Sequence, residues 1–240
     1  MHRGRTLVRT ALASSLVALL GVSTARAAPP RAVPPELAPA RFTTTIDNPY
    51  LPLVPGTRMV YRERGADGPG REVVRVTRRT KVVDGVTTVV VRDRAYSGGE
   101  LVEDTRDWFA QDREGNVWYF GENTKEYEDG KVVSTEGSWR AGRDGATAGI
   151  VMPAHPKVGD TYAEESAPGV AEDMATVLRL DASRTVPYGT FDDLLVTRNF
   201  SPLDPDVVEK KFYARGVGSI LEKAVTGPRE RLVLVRVTSG

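Results

Sequence analysis

The stretch from Gly99 to Trp139 holds the residues whose types and spacing could do chemistry. It carries eleven acids to four bases, all three tryptophans and seven of the chain's seventeen aromatics. If Asp112-Arg113-Glu114-Gly115 forms a four-residue turn, Phe109 faces Trp118, Asp107 faces Phe120 and Thr105 faces Glu122. Side chains alternate along a strand, so Glu103, Asp107, Phe109, Trp118, Phe120 and Glu122 are expected to share one face, which the next turn extends to Tyr127. Burying an ionised carboxylate without a partner is costly, so such a face must neutralise its acids or hold water, a cation or a polar ligand. Aromatic platforms beside acids suit a saccharide, whose ring stacks while its hydroxyls hydrogen-bond, or a cationic ligand. Two of Asp107, Glu122 and Glu136 could instead act as acid and base in glycoside hydrolysis, with Trp118 and Trp139 as platforms. A register one residue off would leave the same carboxylates on a solvated rim.

Other chemistries are thinly represented. Zero cysteine excludes disulfides, thiolate-bound metals, thiol nucleophiles and a lipidated N-terminal cysteine, and His2 and His155 are too far apart for a two-histidine metal motif. No metal and no other cofactor is expected. His155, in Met152-Pro153-Ala154-His155-Pro156-Lys157, is a possible general base or a polar surface residue. Ser134, Ser138 or Ser166 would have to partner it as nucleophile, but no G-x-S-x-G elbow occurs. Gly137 to Gly149 is glycine-rich without phosphate-loop spacing and reads as a surface loop or a lid. Asp112 to Asn116 lacks the acids of a calcium loop and reads as a tight turn. With 33 Lys+Arg against 32 Asp+Glu, a basic nucleic-acid binder is excluded.

The elements that must position these residues are strands. Residues 1–27 have an arginine-bearing start, an apolar run and an Ala25-Arg26-Ala27 cleavage triplet, the pattern of a secretory signal peptide. Cleavage near Ala27 would remove four arginines, leave a balance of −3, and give a secreted or extracytoplasmic protein without a stable membrane anchor. Residues 28–41 read as a proline-rich, extended, unpacked leader, and 42–240 as a single β domain. Turn signals such as Asp84-Gly85, Gly98-Gly99, Asp129-Gly130 and Gly216 to Gly218 separate short runs rich in Val, Thr and Tyr, among them Glu72 to Lys81 and Val86 to Tyr96. That punctuation predicts an all-β, antiparallel meander closed into a barrel or half-barrel over a cavity, with long loops and little helix. Arg58 to Lys81 carries eight bases to three acids, opposite in sign to the acidic stretch, and reads as a solvated face.

Several phrases also resemble a known group. Asn48-Pro49-Tyr50-Leu51-Pro52-Leu53, the run Asp107-Trp108-Phe109-Ala110-Gln111-Asp112 with Gly115-Asn116-Val117-Trp118-Tyr119-Phe120-Gly121-Glu122, Thr135 to Trp139, Val186 to Phe191 and Tyr213 to Gly218 resemble a widespread family of secreted bacterial β proteins over residues 46–225. The outer motifs are similar to those of envelope proteins with a lipoprotein-sorting-type half-barrel. That resemblance implies a concave sheet that binds acyl chains or peptides, and no catalytic residue is carried over from it.

Three functions therefore stand open. The preferred one is a secreted β protein binding a small or oligomeric ligand, saccharide or apolar, on the face of Glu103, Asp107, Phe109, Trp118, Phe120, Glu122, Tyr127 and Trp139. The others are a carboxylate hydrolase and an envelope interaction protein with no small-molecule site.

Overall fold

A computed structural model of the chain describes residues 37–65 and 68–240. The expected signal peptide and most of the leader lie outside the described residues. A short β1 (Phe42–Thr43) precedes four long strands, β2 (Arg58–Gly65), β3 (Gly68–Val83), β4 (Val86–Ser97) and β5 (Glu100–Asp112). Next come β6 (Val117–Asn123), β7 (Glu126–Glu128), β8 (Lys131–Ser134), β9 (Trp139–Arg140) and β10 (Thr147–Met152). The chain ends with β11 (Thr161–Ala163), β12 (Glu165–Ser166), β13 (Met174–Val186), β14 (Gly189–Ser201), β15 (Asp204–Ala214), β16 (Gly218–Thr226) and β17 (Arg231–Thr238).

Hairpin chemistry sets this order. Asp84 and Gly85 both take positive φ, 46° and 79°, which two-residue turns between right-twisted strands require, and Val83 pairs directly with Val86. The meander β13 to β17 continues through the β17–β2 pair into β3, β4, β5 and β6. β6 then pairs with β10, β10 with β12, and β11 with β13, so the sheet returns on itself as a nearly closed barrel. At this seam a Cβ on Gly149 would sit 2.3 Å from the Glu164 carbonyl oxygen, so only bare backbone fits.

One end of the lumen is apolar and plugged. Ile46, Tyr50, Leu51 and Leu53 form a buried strap over it, and the cavity that Leu51 and Leu53 share with Tyr61, Glu72, Phe109 and Glu222 is about 20 Å³, room for about one water. Asn48 holds the strap in place. Its Nδ2 donates to the Gly115 and Pro153 carbonyls at 2.9 and 3.1 Å, and its Oδ1 accepts from the Tyr50 amide at 2.9 Å. The Asp47 and Asn48 amides meet Gln111 Oε1 at 3.0 and 2.9 Å. The expected cavity is thus largely filled by the protein's own chain. The end of the leader differs from expectation too. Leu37 is buried, Pro39–Arg41 makes a 3-10 turn over the Asp84-Gly85 hairpin, and Arg41 pairs with Glu114, because an apolar residue and an arginine here find partners on the barrel wall.

Strand alternation sorts charge by radius. In Arg62-Glu63-Arg64, Arg71-Glu72, Arg92-Asp93-Arg94 and Arg106-Asp107 the acids are buried and the arginines are exposed or half-exposed. The strands of both segments thus turn acids inward and arginines outward at these positions.

Candidate functional site

The inner face of β3 to β6 collects carboxyls. Directly paired positions run Glu72, Ala95, Glu103, Glu126 in one row and Val91, Asp107, Glu122, Trp139 in the next. Asp93 opposes Thr105 between them. The Tyr119 hydroxyl lies 2.8 Å from Asp107 Oδ1 and 3.1 Å from Glu122 Oε2. A tyrosine has one hydroxyl proton, so both contacts are satisfied together when one carboxyl is itself protonated and donates to the phenol oxygen. Thr105 Oγ1 contacts Glu103 Oε1 at 2.8 Å, and Trp139 Nε1 donates to Glu165 Oε1 at 3.1 Å. Between β11 and β12, Glu164 accepts from Asn199 Nδ2 of β14 at 2.7 Å.

Protonation follows from burial. Asp107 is fully buried and its carboxyl is pushed well above the ordinary range, first by burial and then by the charge of Asp93. Burial and then Asp107 do the same to Glu122. Burial lifts Glu103 to about 8, and Asp93 and Glu164 to about 7, against the pull of Thr105, Glu72 and Lys211 respectively. Glu72, raised by burial and then by Asp93, keeps its proton and offers it to Asp93. The cluster is therefore a set of shared protons. Among the described residues no group of acids is arranged to hold a metal ion.

The structure brings together Glu103, Asp107, Phe109, Glu122 and Trp139, and moves Trp118 and Phe120 to the opposite face. The cause is register. Phe109 pairs with Tyr119, not Trp118, because the β5–β6 loop begins one residue later than a 112–115 turn. A bulge at Phe120-Gly121 then restores the phase, so Glu122 points inward opposite Asp107. Gly121 has φ 116°, and a Cβ there would lie 2.4 Å from the Trp139 carbonyl oxygen. Phe120 and Trp118 pack outside, edge-on to Phe42 at 5.3 and 6.1 Å, and Trp118 Nε1 donates to Asp112 Oδ2 at 2.8 Å. Tyr127 follows the inward Glu126 and so faces outward, half-buried. Glu136 is exposed on the loop after β8, where its charge reaches Glu126. His155 is exposed beside a shallow cleft shared with Asp47, Lys157 and Arg215, with none of Ser134, Ser138 or Ser166 bonded to it.

The outer face of the same strands forms a groove of about 840 Å³ with seven basic side chains and no acid in its lining. Its floor is part of a cross-strand row that runs one strand further, to Arg58. Arg58 on β2 opposes Arg75 on β3, Arg75 opposes Arg92 on β4, and Arg92 opposes Arg106 on β5. Beneath the row, Asp104 accepts from Arg92 Nε and Nη2 at 2.7 and 2.6 Å and lies 3.8 Å from Arg106. Burial draws Asp104 upward, but the Arg92 bond and charge outweigh it and hold the carboxyl below its usual range. Between Val76 and Thr80 the β3–β4 register slips, and Arg78 and Arg79 stand out there as one wall. Lys81 lies 3.5 Å over the Trp108 ring and is lowered in pKa by partial burial and by Arg140. The basic surplus of Arg58 to Lys81 was legible in the sequence; its alignment with Arg92 and Arg106 depends on register.

No protein-family model and no curated protein matches the chain. Among solved structures it is similar to a candidate exported protein with a YmcC-like fold from Bacteroides fragilis, at 13% identity and a TM-score of 0.46, covering 79% of this chain and 99% of that one. It is similar also to a candidate lipoprotein from Parabacteroides distasonis, at 13% identity and a TM-score of 0.43, covering 79% and 98%.

Proposed function

We propose that the protein is a secreted, extracytoplasmic binding protein, a β-barrel scaffold that takes an anionic ligand in the groove on the outer face of β3 to β5. One observation carries this: seven cations and no acid line a concavity of about 840 Å³, a size suited to a small-molecule or oligomer segment. The carboxylate face supports the groove from behind. Its acids are folded into the wall as protonated carboxyls, and the charge of Asp104, on the arginines' own side, offsets part of the repulsion within the row. The test is titration of the protein with a panel of multivalent anions, namely citrate, sulfate, triphosphate and an acidic oligosaccharide, at low and high salt. The expected result is salt-sensitive binding that disappears when Arg75, Arg92 and Arg106 are all changed to Gln, while Asp107→Asn leaves it intact. Failure of every anion to bind the parent protein overturns the reading.

Hydrolysis by a carboxyl pair has one observation in its favour, the Tyr119 hydroxyl bridging Asp107 and Glu122. Both acids are almost wholly shielded, with exposures of 0% and 3%, so a substrate would require the barrel to open. Turnover on a glycan panel that is abolished by both Asp107→Asn and Glu122→Gln would establish that reading; no turnover by the parent removes it.

A further inference from the structure

We infer that the groove is built for a linear phosphate polymer laid across the strands, and not for a single anionic group. This rests on the anion-binding reading above and adds the ligand's class and direction. The decisive feature is the row Arg58, Arg75, Arg92, Arg106, four arginines at directly opposed positions on four consecutive strands. Neighbouring strands lie about 4.8 Å apart, so the row repeats at about that interval and spans about 14 Å. Like charges directly opposite each other destabilise a sheet, and this wall places four in succession with one acid, Asp104, beneath them. A ligand with one charge meets one or two of these side chains. A chain with closely repeating charge meets all of them and relieves the whole row.

The side-chain chemistry points to phosphate. Asp104 takes two of the five donors of Arg92 and fixes its plane, leaving the other three for a ligand. Each inner phosphate of a chain carries a full negative charge on two non-bridging oxygens of a tetrahedral phosphorus, which accept from several directions, whereas a carboxylate's oxygens accept mainly within one plane. Arg78 and Arg79, in the irregular stretch of β3, add two further cations beside the row. A nucleic acid is disfavoured because the groove's one aromatic, Trp108, is 4% exposed and roofed by Lys81, leaving no face on which a base can stack. A bilayer is disfavoured because the site is concave and the apolar residues in its lining, Val76, Val90 and Trp108, are buried.

The experiment compares ortho-, pyro-, tri- and long-chain inorganic polyphosphate with a carboxylate polysaccharide, each titrated into the whole protein across a salt series. Long-chain polyphosphate is expected to bind at least about tenfold more tightly than triphosphate, as successive guanidiniums engage. Arg75→Gln and Arg106→Gln should each weaken it about tenfold and reduce the slope of log K against log salt by about one. Arg179→Gln, on the distant β13, should change neither. Tight binding of triphosphate with no gain for longer chains overturns the polymer while leaving the anion site standing. Tighter binding of the carboxylate polysaccharide overturns the phosphate assignment, and an equal effect of Arg179→Gln overturns the row as the site.

Discussion

Raising the pH should unfold this protein from the inside. Glu103, Asp93 and Glu164 are each at most 4% exposed and titrate near 8, 7 and 7 in the folded protein. In the unfolded chain they return to roughly 4. Between those values the folded protein holds protons that the unfolded chain has released, so the stability they provide is fully present below about pH 4 and is lost as pH rises through 7 and 8. Each group tilts stability by up to about 1.4 kcal/mol per pH unit, so even one at full strength lowers it by about 3 kcal/mol from pH 5 to 7, against a typical total of roughly 5–15 kcal/mol. Asp104 acts with the opposite sign. Its carboxyl is held low, so the stability it lends is present at neutral pH and is lost only in strong acid. Urea unfolding followed by tryptophan fluorescence at pH 5, 6, 7 and 8 measures the slope directly. Glu103→Gln keeps a polar partner for Thr105 but removes the titration, so it should be nearly neutral at pH 5, stabilise the protein at pH 8, and flatten the slope by about one proton. Stability that rises with pH over this range, or a Glu103→Gln variant with the parent's slope, would refute the account of the lumen as a store of shared protons.

Two further perturbations test the frame. Asn48→Ala strands the Tyr50 amide and the Gly115 and Pro153 carbonyls, and should cost about 3 kcal/mol, seen as a fall in Tm of about 10 °C by calorimetry. An unchanged Tm would mean that the strap over the apolar end is not anchored through this side chain. Gly121→Ala forces a side chain into a backbone at φ 116° and against the Trp139 carbonyl, and should destabilise by about 3 kcal/mol or more with loss of the near-ultraviolet signal of the Tyr119–Trp139 pair, whose rings are 5.5 Å apart. A parent-like urea midpoint would show that the bulge can form without glycine.

The motif from Asp107 to Glu122 has a structural explanation in several of its residues. Asp112 accepts from the Asn116 amide and from Trp118 Nε1, both at 2.8 Å, and Asn116 Oδ1 accepts from the Ala154 amide at 2.8 Å. These bonds close the β5–β6 turn and tie it to the segment after β10, which explains the motif without a ligand.

The sequence by itself determined the class of fold and the places where the chain turns. Those properties are local: a two-residue turn needs positive φ, Asp-Gly and Gly-Gly permit it, and β-branched runs between turns form strands. It also placed Glu103, Asp107 and Phe109 on one face, since alternation along a single strand needs no partner. What crosses from strand to strand was decided by tertiary structure. The β5–β6 loop begins one residue later than a 112–115 turn, so Trp118 and Phe120 leave the face, and the bulge at Gly121 lets Glu122 rejoin it; no local signal marks a bulge from a glycine in an otherwise ordinary strand. Charge was the larger difference. Counted along the chain, Arg58 to Lys81 is basic and Gly99 to Trp139 acidic, as though two patches lay side by side. Closure of the sheet turned that linear contrast into a radial one, because alternation in each strand sends acids to the lumen and arginines to solvent, and only the pairing register stacks those arginines into one row.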